Sequence, residues 1–429
     1  MLLPAQPSAR AKRLSMTQPR AANPVIRAPT ATRSPGTPPF DRVKPFAALC
    51  GALAPFVIKI VGDLFAGEIL LFIFLAASYL TSAPGRSRLG RRVKLFLILL
   101  CMLATGMVLA DAARGTPPSD YLRGWGRVAL LGTDIAAMGL FARRGLSTLV
   151  WYVVGYSVGG LVYCGVEGLN IVSNWKLGYA IPSTLLGSCI LCTVNSKKLR
   201  VFFLMLFAAS NFVLDYRSLA GFCVAGAAVE MVIGVRLKGP VVWVLMSALL
   251  CVSTTTIILV LVNQNSQVME RQDESNYDRL MRMKFSMEAI VASPLLGYGS
   301  WPRDRALADE YIRAMSLHVG HRWWLRQEER DLIPSHSQIM QAWVEAGILG
   351  IPFFCYLIVS ICVWLRRLVS ELELGPATGL VVVILTWSLW DALFSPFSGQ
   401  VRIAIAITVA LMAALDRLFQ ARSAKRIAV

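Results

Sequence analysis

The sequence predicts an all-α integral membrane protein of about twelve transmembrane helices, and three observations predict it. The 429 residues are 56% hydrophobic and only 16% charged, too little charge to cover a soluble fold of that size. Apolar runs of roughly 17–23 residues recur along the chain, the length that crosses ~30 Å of hydrocarbon. Basic residues fall in short clusters between these runs, which is the charge bias that orients membrane proteins.

Taken in order, the predicted spans are 45–63, 66–82, 95–112, 126–142, 146–165, 178–195, 199–214, 217–235, 240–262, 338–365, 376–395 and 400–417. With the amino terminus in the cytoplasm and the spans alternating, every inside segment is basic. The tail carries Arg10, Lys12, Arg13, Arg20 and further cations. The later inside segments hold Arg86, Arg88, Arg91, Arg92 and Lys94, then Arg143 and Arg144, then Lys197, Lys198 and Arg200. Arg236 and Lys238, Arg366 and Arg367, and the closing Arg417, Arg422, Lys425 and Arg426 complete the series. The short outside segments hold only scattered cations such as Arg114, Lys176 and Arg402. A missed or extra helix would invert half of these clusters, so both termini are expected inside.

This distribution also excludes a nucleic-acid partner. The net charge of +18 is not gathered on one polar domain but divided among loops, as topology requires. Residues 1–44 are rich in Pro, Arg, Ala and Ser without hydrophobic periodicity and read as a disordered basic tail. No apolar segment follows the start as it would in a cleavable signal peptide. The nine cysteines lie in or beside apolar runs and none in the large polar loop, so no disulfide framework is expected there, and Cys189 and Cys192 read as packing residues within a span.

The expected organisation is therefore a tail (1–44), nine spans (45–262), one large outer loop (263–337), three spans (338–417) and a second basic tail (418–429). The loop holds all three histidines, His318, His321 and His336. A polar excursion of this size on one face only is where chemistry is expected.

Within the loop, Pro334-Ser335-His336-Ser337 reads as a helix start leading into the tenth span. His336 falls in the first turn, sharing a face with Ile339, Met340, Trp343 and Gly347, while Gln338, Gln341 and Glu345 take the opposite face. A helix amino terminus disfavours imidazolium and favours anions. A neutral histidine there suits a general base for a hydroxyl; a capping or interfacial histidine is the other reading. Upstream, Leu280, Met283, Met287, Ile290 and Val291 form a helical stripe of an amphipathic helix lying on the bilayer, ended by Ser293-Pro294. Arg279 borders that stripe and Arg282 lies further round, where each could hold a phosphate or simply be solvated. Arg217 opens the eighth span at the same face, with Asp215 and Asp391 as possible partners.

Other signals are weaker. His318 and His321 are spaced like metal ligands on a helix, but nothing completes a set, and no metal or cofactor is expected. Trp323 and Trp324 suit either sugar stacking or interfacial anchoring. Glu68, Asp134 and Glu230, within or at the ends of spans, read as proton-relay or helix-contact residues.

The stretch HSQIMQAWVEAGILG, with His336-Ser337, a nine-residue gap and Gly347-x-x-Gly350, resembles the signature of the O-antigen ligase and polymerase superfamily. Arg279, fifteen residues before Pro294-Leu-Leu-Gly-Tyr-Gly, is similar to the arginine helix that leads into a glycine turn in that family. Arg217 with Ser218-Leu219-Ala220-Gly221 is similar to the arginine that opens an earlier span. Ser337 stands where Asn is commoner, and Met283 where an aromatic is common. Neither change removes a catalytic group.

The resemblance implies a metal-independent, inverting glycosyltransferase of the bacterial inner membrane. Its donor would be an oligosaccharide on undecaprenyl diphosphate, presented in the periplasm. Carried over by position, His336 would be the base and Arg217 and Arg279 would bind the diphosphate, with Arg282 a further candidate for the same anion. Membrane lipid would be a partner, together with a flippase and chain-length or export proteins as candidates. The family includes polymerases of exopolysaccharide or O-antigen repeat units and ligases that move a finished glycan onto lipid A–core. The layout of relatives favours a polymerase; no residue separates the two. A transporter of polysaccharide or lipid-linked sugar, or an export scaffold, is the competing class. The large loop after the ninth span has no counterpart in the first half, against the two similar halves of many transporters.

Overall fold

In the computed structural model, residues 42–59, 62–81, 89–171, 174–233, 266–319, 330–371 and 374–427 are described. They form helices α1 (Val43–Leu53), α2 (Ala66–Thr81), α3 (Arg91–Arg114), α4 (Pro118–Arg144), α5 (Leu146–Val166), α6 (Ala180–Leu191), α7 (Lys197–Val213) and α8 (Arg217–Val232). Then follow α9 (Ser266–Ala292), α10 (Arg305–Val319), α11 (Gln338–Ala346), α12 (Ile351–Ser370), α13 (Thr378–Phe394) and α14 (Gly399–Ile427). The fold is helical, as the sequence predicts. Four helical stretches are long and apolar enough to cross a membrane: Arg91–Arg114, Leu146–Val166, Gln338–Ser370 and Gly375–Phe394. The expected ninth span, His321, Trp323 and Trp324 lie outside the described residues.

Two expected spans are corrected. The first, read as 45–63, is helical only to Leu53. Beyond it a short antiparallel hairpin pairs Val57–Lys59 with Asp63–Phe65. Pro55 cannot donate to a helix, and the β-branched Val57 and Ile58 favour extended backbone. The tenth, read as continuous, breaks at Gly347. There a 3-10 turn, Gly347–Gly350, separates α11 from α12, and Pro352 in the first turn of α12 withholds the donor that a continuous helix would need.

Packing between helices relies on small residues and buried ion pairs. Gly155 and Gly159 on α5 face Ala48 and Ala52 on α1 so closely that a Cβ on either would fall about 2 Å from a carbonyl oxygen of α1. Such small-residue seams are how helices approach without a hydrophobic driving force. Glu68 accepts from Arg402 at 2.9 and 3.1 Å and from the Phe65 N–H at 2.9 Å. Glu230 accepts from Arg200 at 2.9 and 3.2 Å. Of the two readings of these acids, helix contact is the one that Glu68 and Glu230 take. Asp134 is fully buried near Glu68.

Candidate functional site

Helix α9 carries the site on one flank and packs by another. Phe285 is buried with Tyr311 and Met315 of α10. Ala289 and Ile290 are buried with Tyr298, Ile333 and Val344. Ile290 thus belongs to the packing face and not to the apolar stripe in which its spacing placed it. The rest of that stripe, Leu280, Met283, Met287 and Val291, is exposed.

One turn before Phe285, Arg282 is fixed from two sides. Its Nε donates to both oxygens of Asp278, at 2.8 and 3.0 Å, and its guanidinium lies 5.5 Å from the centre of the Tyr311 ring. The Tyr311 hydroxyl donates to Asp278 at 2.5 Å. An acid four residues before an arginine is a pairing readable from helix spacing, and Tyr311 is the addition that only the fold supplies.

His336 lies on an extended connector, residues 333–337, and not in the first helical turn. Helix α11 starts at Gln338 with Ser337 as an extended N-cap at φ −147°, which leaves His336 one residue outside. The connector is tied on both sides. The Ser286 hydroxyl donates to the Pro334 carbonyl at 2.9 Å, and the Ser337 hydroxyl to the Ala392 carbonyl at 3.3 Å. Burial, followed by the positive fields of Arg282 and Arg279, pushes the His336 imidazole down to about 4, with Asp278 opposing. The structure therefore brings His336, Arg279 and Arg282 together, with the imidazole neutral at ordinary pH.

Arg217 stands at the opening of α8, on a different element. The turn that delivers it puts Asp215 at φ +61°, with the Tyr216 N–H donating to the Asn211 carbonyl at 2.7 Å, the arrangement of a left-handed helix cap. Asp215 pairs with Arg217 at 3.4 Å. Asp391 instead accepts from the Ser395 hydroxyl at 2.8 Å. Helix α8 packs on α13, where Phe222 meets Trp390 at 6.2 Å between ring centres. That packing ties α8 to the same helix whose Ala392 holds Ser337.

Behind the site, the glycine turn and the helix break interlock. Gly347 adopts φ +58° and Gly297 φ +82°. A Cβ on Gly347 would lie 2.1 Å from the Leu295 carbonyl oxygen, and one on Gly297 2.6 Å from the Gly347 nitrogen. Only glycine fits both the conformation and the approach. The Tyr298 and Gly299 N–H groups donate to the Val344 and Glu345 carbonyls at 2.7 and 3.0 Å. Arg114 of α3 adds a 2.8 Å bond to the Gly297 carbonyl and lies 3.9 Å from the Tyr298 ring centre. On the far face of α11, buried Glu345 takes Arg127 at 2.5 Å and Gln341 at 2.7 Å. Gln341 in turn accepts from the Phe397 N–H at 2.7 Å. His318 stacks on Tyr277 at 3.8 Å between ring centres, a packing role.

The histidine, the arginine helix and the locked glycine turn are thus one continuous unit. Residues 201–355 match the O-antigen ligase family model. This match supports the resemblance to the O-antigen ligase and polymerase superfamily that the His336–Gly347–Gly350 pattern carries. It covers less than half of the chain. The matched segment runs from α7 into α12 and includes Arg217, Arg279, Arg282, His336 and both interlocking glycines. No curated protein and no solved structure matches the chain.

Proposed function

We propose that this protein is an inverting glycosyltransferase of the bacterial inner membrane, acting on undecaprenyl-diphosphate-linked oligosaccharide and polymerising exopolysaccharide or O-antigen repeat units. The reading includes twelve spans, both termini in the cytoplasm, and residues 263–337 in the periplasm. A flippase that delivers the donor, and chain-length or export proteins that handle the product, are its partners.

The observation that carries this reading is the tethering of the His336 connector by Ser286 to the helix of Arg279 and Arg282, whose positive fields, with burial, keep the imidazole neutral. An acceptor hydroxyl attacks the anomeric carbon of the donor's first sugar, and its proton passes to His336. The new glycosidic C–O bond forms as the bond to the diphosphate oxygen breaks. Undecaprenyl diphosphate leaves as an anion stabilised by Arg279 and Arg217, with Arg282 adding charge from its fixed place, so no divalent metal is required. Arg217 lies in the first turn of α8, where the helix dipole also favours an anion. Binding couples to basicity as well. The free site holds His336 at about 4 partly through Arg282 and Arg279. A bound diphosphate screens those cations, so the imidazole becomes a better base once the donor is in place.

A ligase that moves a finished glycan to lipid A–core is the second reading, favoured by the description of the matching family as O-antigen ligase. The test is expression of His336→Ala and Arg279→Ala beside wild type in a strain lacking the gene, at equal membrane levels. Surface and lipid-linked glycans are then resolved by gel and mass spectrometry. A polymerase leaves single lipid-linked repeat units and no long chains in both variants. A ligase leaves long chains on the lipid carrier. A glycan profile equal to wild type in both variants would sink glycosyl transfer and bring transport forward.

A further inference from the structure

A polar cleft of about 500 Å³ opens where the first turns of α4 meet the large loop. Asp120 and Arg123 form one wall, and Arg303, Arg305, Arg330 and Asp331 the other. None of these residues belongs to the site around His336. The frame of the cleft is fixed. Asp120 is only 4% exposed and accepts a bidentate pair from Arg303 at 2.7 and 3.1 Å. Arg303 also pairs with Asp331, whose carbonyl takes the Asp304 N–H at 2.8 Å. An arginine held by a buried carboxylate on one helix and a second aspartate in the loop rivets the two elements together.

The remaining groups are not part of that rivet. Arg305 and Arg330 are exposed, and Arg305 pairs with Asp309, also in the cleft lining, at 3.7 Å, a solvent-screened contact that a ligand can replace. The Arg123 guanidinium lies 5.8 Å from the centre of the Trp301 ring, and Tyr121 stacks on Trp125 at 4.5 Å. The cleft therefore sets guanidinium donors and carboxylate acceptors side by side. Sugars ask for this combination, since vicinal hydroxyls both donate and accept. An apolar ligand finds nothing here, and a cationic one meets more arginines than aspartates.

Position connects the cleft to the chemistry. Asp331 and His336 sit on one connector five residues apart, so at most about 17 Å of extended backbone separates them. The cleft is built from residues other than those around His336, and a ligand filling it lies within reach of the same glycan chain. We propose that this cleft binds the sugars of an oligosaccharide several residues away from the reacting hydroxyl. The ligand class is a neutral or anionic glycan, presented by either the acceptor or the lipid-linked donor. The assignment rests on the glycosyltransferase reading for its role and on the cleft alone for its ligand.

The test uses the full chain in nanodiscs. The probe is the lipid-free oligosaccharide released by mild acid from the host strain's own surface polysaccharide, with binding followed by calorimetry. Wild type and His336→Ala should bind equally. The double variant Arg305→Ala/Arg330→Ala should bind at least ten-fold more weakly, and Arg330→Glu should weaken an anionic oligosaccharide further. Both arginines are exposed, so neither change threatens folding. In turnover, the double variant should raise one glycan KM about ten-fold at unchanged kcat. A rise in the acceptor KM assigns the cleft to the acceptor chain, and a rise in the donor KM to the donor chain. Unchanged binding and unchanged KM values in the cleft variants overturn the proposal even if transfer is confirmed. Cleft-dependent binding by a protein that transfers no sugar would uphold the cleft and overturn the enzymatic reading.

Discussion

Ser286 donates a 2.9 Å hydrogen bond from the middle of α9 to the carbonyl of Pro334, two residues before His336. Ser286 is fully buried, and the bond spans 48 residues of sequence. It holds the connector at a fixed height against the helix that carries Arg279 and Arg282. Ser286→Ala leaves the buried Pro334 carbonyl without this donor, which costs about 1–3 kcal/mol. Because the imidazole is positioned through this contact, kcat should fall roughly ten-fold while the donor KM changes little. Thermal unfolding of the purified variant beside its steady-state kinetics checks this. A kcat equal to wild type would show that the connector is positioned without Ser286.

The pH dependence follows from the depression of His336. In the free protein the imidazole sits at about 4 because it is buried and faces Arg282 and Arg279. The acid limb of kcat/KM reports free enzyme and that of kcat reports the donor complex. The kcat limb should therefore lie at higher pH than the kcat/KM limb, since bound diphosphate screens the arginines. Removing one cation acts in the same direction in the free protein. Arg282→Gln makes imidazolium less costly, raises the pKa, and moves the kcat/KM limb upward in pH. Coincident limbs in wild type, or a downward move in Arg282→Gln, would contradict the coupling.

The site was legible in the sequence as far as local spacing reaches. His336 was found from a helix start, Arg279 and Arg282 from their place beside an apolar stripe, and Gly347 from its spacing to His336. Its architecture was not. Ser286, Glu345, Arg127 and Asp120 each read as ordinary polar residues until the fold pairs them across tens to hundreds of positions. The helix break at Gly347 escapes hydropathy because GILGIPFF is as apolar as the span it interrupts, although Gly347, Gly350 and Pro352 are residues that weaken a helix. The positive φ and the Leu295 carbonyl pressed against Gly347 fix its place. The hairpin after α1 was missed for a similar reason, since hydropathy counts Val57 and Ile58 alike in a strand or a span. Ile290 falls on the packing face and not on the stripe its spacing predicts, because five apolar positions at helical spacing do not say where one side of the helix ends.

Glu345 and Arg127 join α11 to α4 at 2.5 Å, both buried. Arg127 also donates to the Phe397 carbonyl at 3.0 Å. Breaking one side of such a pair leaves an uncompensated charge and costs about 3–5 kcal/mol, whereas removing both sides is far milder. Glu345→Gln should lower membrane-inserted yield and thermal stability sharply. The double variant Arg127→Met/Glu345→Gln should recover much of the loss. Fluorescence-detected size exclusion across temperature measures both. A loss in the double variant as large as the sum of the Arg127→Met and Glu345→Gln losses would mean that the two residues act independently.

Leu280, Met283, Met287 and Val291 stay exposed along α9. The line continues through exposed Leu295 to exposed Ile348, whose N–H donates to the Leu295 carbonyl at 3.3 Å. Ile348 lies within Gln338–Ser370, one of the stretches apolar enough to cross the bilayer. The stripe is thus continuous with a span's outer surface, and an apolar line of that kind settles into the headgroup boundary. On the proposed function, this would put Arg279 and Arg282 at the depth of the donor's diphosphate. Each side chain transferred from water contributes about 1.5–3 kcal/mol, so Met287→Asp should lift the helix and raise the KM for lipid-linked donor about ten-fold. A nitroxide on Met287→Cys in nanodiscs should show strong broadening by oxygen and weak broadening by a soluble nickel chelate. The reverse pattern would place α9 in water and remove the bilayer from the account of how the donor is held.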